Sequence, residues 1–126
     1  MIFGIGIDII EVDRIGKQVS NSANTFIRKI FTEKEIAYCE SKMKNKAQNY
    51  AARFAAKEAF FKAIGTGWRD GFKWQEIEIE NDDFGKPIIK LSGKLKKFVE
   101  ENTILNIHVS LSHLNMIAVA VVILEN

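Results

Sequence analysis

The residues that could do chemistry together are charged and lie in one ten-residue stretch: Arg53, Lys57, Glu58 and Lys62. One more carboxylate, Asp8, lies near the N-terminus. Two carboxylates with few other oxygen ligands suit magnesium, which completes its coordination with water and phosphate oxygens. Lysine and arginine side chains suit those phosphates. The residues alone therefore indicate magnesium-assisted chemistry on a phosphate-bearing ligand.

Each of these residues also has a purely structural interpretation. Glu58 and Lys62 can form an i,i+4 pair worth about 0.2–0.5 kcal/mol on a helix surface. That pair would leave Arg53 and Lys57 as stacked like charges, which an anionic ligand over them would explain. Asp8, at the end of an apolar strand, either accepts hydrogen bonds from nearby backbone or holds a cation. Both possibilities stay open at this point.

Several classes of site are excluded by what the chain lacks. A single cysteine, Cys39, excludes an internal disulfide framework and an all-cysteine metal site, and we expect it to be buried or half-buried and without a catalytic role. No cluster of His and Cys exists to hold zinc. The phosphate-binding pattern Gly-x4-Gly-Lys-Ser/Thr is missing too, which argues against a nucleotide triphosphatase.

The length and composition predict one globular domain, residues 1–126. The sequence is 47% hydrophobic and 27% charged, which is ordinary for such a domain. The N-terminus has no basic leader, and the apolar run 117–124 is far shorter than the roughly 20 residues of a membrane span. We therefore expect a cytoplasmic protein that does not associate with membranes.

The net charge of +2 is unevenly distributed. Between Arg14 and Lys46, eight lysines and arginines face three glutamates, a local charge of +5. A basic surface of this kind indicates an acidic partner, which could be a nucleic acid, an acidic protein or a phosphorylated ligand.

A long helix is the element that must position most of the charged residues. The stretch 51–64 contains strong helix formers, and Gly65 with Gly67 ends it. Small residues share one side of this helix, which suits close packing on another element: Ala52, Ala55, Ala56, Ala59 and Ala63.

Shorter elements surround this helix. The Ile-rich stretch 2–10 predicts a buried strand on which Gly4, Gly6 and Asp8 share one face, and the glycines leave room for something bulky to approach the backbone. Asp13 can cap a short helix, Thr32 with Glu35 forms a capping-box pattern, and a break falls at 21–24. Further strands are predicted over 76–80, 88–91, 105–112 and 117–124, with a helix from Ser92 and a turn at His113.

Three ordered motifs spanning the chain resemble the signatures of the holo-acyl-carrier-protein synthases, which belong to the 4'-phosphopantetheinyl transferases. The motifs are Gly6-Ile7-Asp8-Ile9-Ile10-Glu11-Val12-Asp13-Arg14-Ile15, Arg53-Phe54-Ala55-Ala56-Lys57-Glu58-Ala59 with Lys62-Ala63-Ile64-Gly65-Thr66-Gly67, and Val109-Ser110-Leu111-Ser112-His113 with Ala118-Val119-Ala120-Val121-Val122. This resemblance implies an α+β fold in which a small antiparallel sheet packs against a long central helix and shorter helices. It also implies magnesium-dependent transfer of 4'-phosphopantetheine from coenzyme A to a serine of apo-acyl carrier protein, in fatty acid biosynthesis.

The same resemblance implies roles for individual residues. Asp8 and Glu58 would hold magnesium on the coenzyme A diphosphate, and Lys62 would contact the transferred phosphate; these three would be catalytic. The coenzyme A site would include Lys44, Arg53, Lys57, Lys62, Gly65, Ser112 and His113. The carrier protein would bind at Arg14, Lys17 and Arg28. Members of the family are homotrimers with active sites between subunits, so a trimer is implied here.

Two functions of other classes compete with this interpretation. A non-catalytic RNA- or protein-binding module could use the basic segment, but RNA binding would need aromatic residues on an exposed sheet face. The one strand with a polar face presents Asn106, His108, Ser110 and Ser112 instead, so we expect no nucleic-acid partner. The second competing function is that of a structural oligomer, in which the charged helix only fixes the register between subunits.

Overall fold

The computed structural model describes residues 1–20, 25–68 and 71–126, which form five strands and five α-helices. The strands are β1 (Ile2–Glu11), β2 (Ile77–Asn81), β3 (Pro87–Leu91), β4 (Asn106–His113) and β5 (Ile117–Glu125). The α-helices are α1 (Val12–Val19), α2 (Thr25–Ile30), α3 (Glu33–Glu40), α4 (Lys46–Ile64) and α5 (Gly93–Glu101), and 3-10 turns cover Met43–Asn45 and Trp74–Glu76. The predicted break at 21–24 lies outside the described residues.

Two antiparallel sheets organise these elements. A three-stranded sheet has the order β1-β5-β4, and β2 pairs with β3 in a separate hairpin. The long helix α4 packs across β1 and β5. This arrangement confirms the predicted α+β fold, with a small antiparallel sheet against a long central helix. None of the described helices combines the length and hydropathy needed to cross a membrane.

The contact between α4 and β1 is unusually close because glycine and alanine meet there. The alanines predicted to share one side of α4 are all buried. A Cβ atom at Gly6 would lie far inside van der Waals contact with the carbonyl oxygen of Ala59, and one at Gly4 would meet that of Ala63 in the same way. The predicted bulky neighbour of the two glycines is therefore the backbone of α4.

The opposite face of β1 differs from the prediction of a buried strand. Side chains alternate along a strand, so the isoleucines between the glycines face away from α4. Ile5, Ile7 and Ile9 are 58%, 61% and 65% exposed. Within a single subunit none of the described residues covers them, and the prediction is wrong for this face.

The structure confirms two of the signals predicted at helix ends. Gly65 follows α4 in the left-handed conformation, with φ of 81°. Thr32 and Glu35 form the predicted capping box at the start of α3, since each side chain accepts a hydrogen bond from the other residue's backbone N–H. Cys39 is fully buried, as predicted, and burial raises the pKa of its thiol to about 12.

Several boundaries needed correction. The helix α4 begins at Lys46 rather than at Ala51, and α1 begins at Val12, so that Asp13 lies in its first turn and does not cap it. His113 is the last residue of β4 and not part of a turn. These differences arise because sequence patterns define the first residue of a helix or strand less precisely than they define its presence.

The close approach at Gly6 predicts a large stability difference between two glycine variants. Gly6→Ala should destabilise the protein by about 3 kcal/mol or more, because neither backbone can move without breaking the sheet or the helix. Gly16→Ala, in α1, should be neutral or stabilising by up to about 1 kcal/mol, since the added Cβ would lie 3.7 Å from its nearest neighbour, Ala47 Cβ. Urea unfolding of both variants measures the difference, and equal stabilities would contradict it.

Candidate active site

Asp8 and Lys62 meet at the surface where β1 crosses α4. Asp8 lies on the face of β1 that carries the two glycines, so it points towards the helix. The Lys62 ammonium donates hydrogen bonds to Asp8 Oδ1 at 3.1 Å and to the carbonyl oxygen of Ile7 at 2.9 Å. Lys62 remains half exposed, so its ammonium is also accessible to a ligand.

Glu58, one helical turn before Lys62, joins this group. Burial raises the pKa of Glu58, the nearby Asp8 carboxylate raises it further, and the Lys62 ammonium opposes both effects. The predicted interpretation of Glu58 and Lys62 as a simple i,i+4 pair is therefore incomplete, because Asp8 takes the hydrogen bond of Lys62 and repels Glu58. The three groups form one electrostatic cluster, which we call the Asp8–Glu58–Lys62 cluster.

The two carboxylates of this cluster fit a divalent cation. Their mutual repulsion raises the pKa of Glu58, and a cation shared between them would remove that repulsion. In the described part of the chain, no three His, Cys, Asp or Glu side chains are grouped closely enough to hold a metal ion. A cation bound here would therefore need further oxygen ligands from water or from a bound substrate. Magnesium commonly completes its coordination in this way.

Lys57, although adjacent to Glu58, is not part of this surface. Its side chain is fully buried, and its ammonium donates to Glu35 Oε1 at 2.7 Å and to the carbonyl oxygens of Ile30 and Ile77 at 2.9 and 2.6 Å. Burial lowers the pKa of Lys57, and the Glu35 carboxylate opposes that shift. The anion expected near Lys57 is therefore the Glu35 carboxylate of the same chain. Because Lys57 is fully buried, it cannot contact coenzyme A in this subunit.

Arg53 points to yet another part of the molecule. It is 3% exposed, its guanidinium lies 4.1 Å from the ring centroid of Tyr38, and Nη2 donates to Asn81 Oδ1 at 2.8 Å. Its Nε is buried and has no hydrogen-bond partner among the residues that the structure describes. Arg53 lines a cleft of about 300 Å³ together with Lys34, Tyr38, Ile79, Glu80 and Asn81. Lys62 lies nine positions further along the helix, which places the two side chains on opposite sides of α4.

The remaining predicted ligand-binding residues divide between the two ends of α4. Gly65 follows directly after the helix, near Lys62, whereas Lys44 precedes it and is exposed. A helix from Lys46 to Ile64 is roughly 27 Å long. One subunit therefore brings Gly65, but not Lys44, to the Asp8–Glu58–Lys62 cluster.

Ser112 and His113 lie at the end of β4 and are both exposed. In the sheet register His113 is opposite the buried Ala118, on the face towards α4, and Ser112 is opposite Val119 on the outer face. The two side chains therefore point to different faces of the sheet. Neither belongs to the Asp8–Glu58–Lys62 cluster of this subunit.

The basic residues predicted to bind a carrier protein are all exposed. Arg14 and Lys17 lie on α1, and Arg28 lies on α2. Sequence reasoning did not identify Glu35 or Asn81 as partners of the cations on α4. The only local signal for Glu35 was its capping box, which gives no hint of a contact with Lys57.

The electrostatics of the cluster predict that removing one carboxylate stabilises the metal-free protein. Glu58→Gln should raise the melting temperature by a few degrees at pH 7.5 in EDTA, because an ionised Glu58 is unfavourable in the folded state. The gain should fade as the pH falls through the raised pKa towards the unfolded value of about 4.3, where the wild-type carboxyl is already protonated. Glu101→Gln, at the exposed end of α5, is the matched control and should give no gain. A lower melting temperature for Glu58→Gln at pH 7.5 would contradict the prediction.

Comparisons with known proteins identify the family of the chain. Residues 4–121 match the family model described as the 4'-phosphopantetheinyl transferase superfamily. The holo-(acyl-carrier-protein) synthase of Solibacter usitatus is 48% identical over 126 residues, covering all of both chains.

Two solved structures extend the likeness to three dimensions. The holo-(acyl-carrier-protein) synthase of Neisseria meningitidis has a TM-score of 0.89 at 35% identity over all of both chains. That of Bacillus anthracis, in complex with CoA (3',5'-ADP), has a TM-score of 0.81 at 41% identity, covering 98% of this chain and 96% of that one. The fold, the clustered carboxylates with their lysine, and these matches together show that the chain belongs to the 4'-phosphopantetheinyl transferase superfamily.

Proposed function

We propose that the chain is a holo-acyl-carrier-protein synthase of fatty acid biosynthesis, which transfers 4'-phosphopantetheine from coenzyme A to a serine of apo-acyl carrier protein. The observation that carries the proposal is the Asp8–Glu58–Lys62 cluster, in which an accessible ammonium lies beside two carboxylates. The family match over residues 4–121 supports the same reaction. A non-catalytic binding module would have no use for this cluster.

The reaction requires a displacement at phosphorus. The serine hydroxyl of the carrier protein attacks the phosphorus that bears the pantetheine, a new P–O bond forms, and the bond to adenosine 3',5'-bisphosphate breaks. Negative charge accumulates on the phosphoryl oxygens, so positioning and charge neutralisation provide most of the catalysis. The nucleophile belongs to the partner, which explains why the chain needs no activated serine of its own.

Asp8 and Glu58 are the residues suited to hold Mg²⁺. The cation would neutralise charge on the coenzyme A diphosphate while the two carboxylates fix its place. Support for this assignment comes from the raised pKa of Glu58 beside Asp8 and from a donor set that consists of oxygens.

Lys62 is suited to bind the transferred phosphate. Its ammonium is held 3.1 Å from Asp8 and remains half exposed, so it can donate to a phosphoryl oxygen without leaving the carboxylate. A fixed cation stabilises the charge that develops in the transition state at little cost in reorganisation.

The apolar outer face of the sheet supports assembly into a trimer, as the resemblance implies. Ile5, Ile7 and Ile9 are mostly exposed, and half-buried Val119 and Val121 lie beside them on β5. A contiguous apolar face of this kind marks a protein–protein interface. Subunit contact would then supply the burial that the Ile-rich sequence of β1 predicts.

The geometry of α4 supports active sites that are shared between subunits. Arg53 and Lys62 lie on opposite sides of the helix, and Lys44 lies at its other end. If Lys44 and Arg53 bind the same coenzyme A as Lys62, they must come from a neighbouring subunit. Ser112 and His113, which lie outside the Asp8–Glu58–Lys62 cluster of their own subunit, fit the same arrangement.

A transfer assay tests the proposed function directly. The protein, coenzyme A, Mg²⁺ and an apo-acyl carrier protein are mixed, and the carrier should gain the mass of one phosphopantetheine group. Asp8→Ala and Lys62→Met should each lower kcat/KM at least about 100-fold, because each removes charge stabilisation at the reacting phosphate.

The control for this assay is Lys97→Met. Lys97 lies on α5 in an exposed pair with Glu101, and its loss should leave the rate unchanged. An unmodified carrier with the wild-type protein would refute the proposed function. Full activity of Asp8→Ala or Lys62→Met would remove that residue from the site.

Assembly through the sheet makes a separate prediction. Ile5→Asp, which places a charge on the apolar outer face, should convert the trimer to monomers in light scattering after size-exclusion chromatography. The monomers should lose at least tenfold in transfer rate, about 1.4 kcal/mol, since a shared site would be incomplete. Leu105→Asp, at another exposed apolar position, is the control. A wild-type monomer, or an active Ile5→Asp monomer, would show that the sites are not shared.

A further inference from the structure

The helix α2 is too short to hold its own position. It spans the six residues Thr25–Ile30 and carries Arg28 and Lys29 on its exposed side. Isolated helices shorter than about 12 residues are marginal in water. The direction in which these two cations point is therefore set by whatever anchors the helix.

Gln75 makes the most extensive polar contact with the end of α2. Its side-chain Nε2 donates to the carbonyl oxygen of Arg28 and to that of Phe31, the latter at 2.9 Å. The last carbonyl oxygens of a helix lack partners within the helix, and Gln75 satisfies two at this end. The carbonyl oxygen of Ile30 between them accepts from Lys57 at 2.9 Å.

Aromatic contacts attach α2 to the same segment. The ring of Phe26 lies 5.8 Å from that of Phe54, which stacks at 5.5 Å on Trp74, the residue before Gln75. The Lys29 ammonium lies 5.6 Å from the ring of Trp68, which also stacks on Trp74. Apart from the hydrogen bond from Lys57 to Ile30, these polar and aromatic contacts of α2 come from Trp74–Gln75 and its stacked neighbours.

We infer that Gln75 is a positioning residue for recognition of the carrier protein: it orients α2 so that Arg28 and Lys29 face an acidic partner. The inference rests on the proposed function, in which Arg28 belongs to the carrier-binding surface. Gln75 acts through the backbone of α2, because both of its N–H donors are used there. Its effect is therefore confined to binding of the carrier, since the Asp8–Glu58–Lys62 cluster lies on other elements.

The test measures the KM for apo-acyl carrier protein and the KM for coenzyme A separately. Gln75→Met keeps the length of the side chain without its donors, and Gln75→Ala removes both length and donors. Each should raise the KM for apo-acyl carrier protein about fivefold to tenfold while the KM for coenzyme A and kcat change less than twofold. Asn102→Leu is the matched control, because the Asn102 amide donates to the Phe98 carbonyl at the end of α5 at 2.8 Å, on a helix without an assigned role in binding. It should change neither KM.

A second experiment, in a variant that lacks both cations of α2, distinguishes a positioning role of Gln75 from direct contact with the carrier protein. In a variant that carries Arg28→Ala with Lys29→Ala, the further change Gln75→Met should alter the carrier KM less than twofold, because the cations that it orients are gone. The full effect in that background would mean that Gln75 touches the carrier itself, and it would overturn the inference. An unchanged carrier KM, equal changes in both KM values, or unfolding of both Gln75 variants would overturn it too. A wild-type protein without transfer activity would instead refute the proposed function.

Discussion

The close approach of α4 to β1 is the constraint on which the active site depends. Gly4 and Gly6 allow the carbonyl oxygens of Ala63 and Ala59 into space that any other residue would fill. Asp8 continues the same face of β1, so it reaches the helix at the level of Glu58 and Lys62. A wider spacing between strand and helix would separate the carboxylates and leave a shared cation without two ligands. The proposed chemistry therefore depends on the glycines as much as on the charged residues.

The buried pair of Lys57 and Glu35 fixes the same helix from its other side. Glu35 accepts from Lys57 and from the backbone N–H groups of Thr32 and Ile79, so its charge is well satisfied. Buried ion pairs often add little net stability, yet loss of one partner is costly. Here the pair sets the rotation of α4 about its axis. Because Glu58 is the next residue, that rotation determines where its carboxylate points.

Local patterns allowed much of the fold and the site to be predicted. The alternation along β4, the capping box at Thr32 and the glycine after α4 depend on neighbours in sequence, and the structure confirms them. The contacts that the sequence did not predict join residues that are far apart in sequence. Two cations on a helix do not reveal that Glu35 comes 22 residues earlier to neutralise one of them. In the same way, an isoleucine-rich strand cannot tell whether its own chain or another subunit covers Ile5 and Ile7.

The compact charged motif on α4 makes sense once the direction of each side chain is known. Arg53 reaches Asn81 in the β2–β3 hairpin, Lys57 reaches the core between α3 and β2, and Lys62 reaches β1. At about 100° per residue, ten helical positions are enough to face every layer of the molecule. One helix can thus connect the proposed phosphate site, the buried ion pair and the Arg53 cleft, which requires it to be central and mostly buried. The residues that look like a single binding motif in the sequence therefore serve three separate places: a cleft, the core, and the surface shared with β1, which is where the proposed phosphoryl transfer takes place.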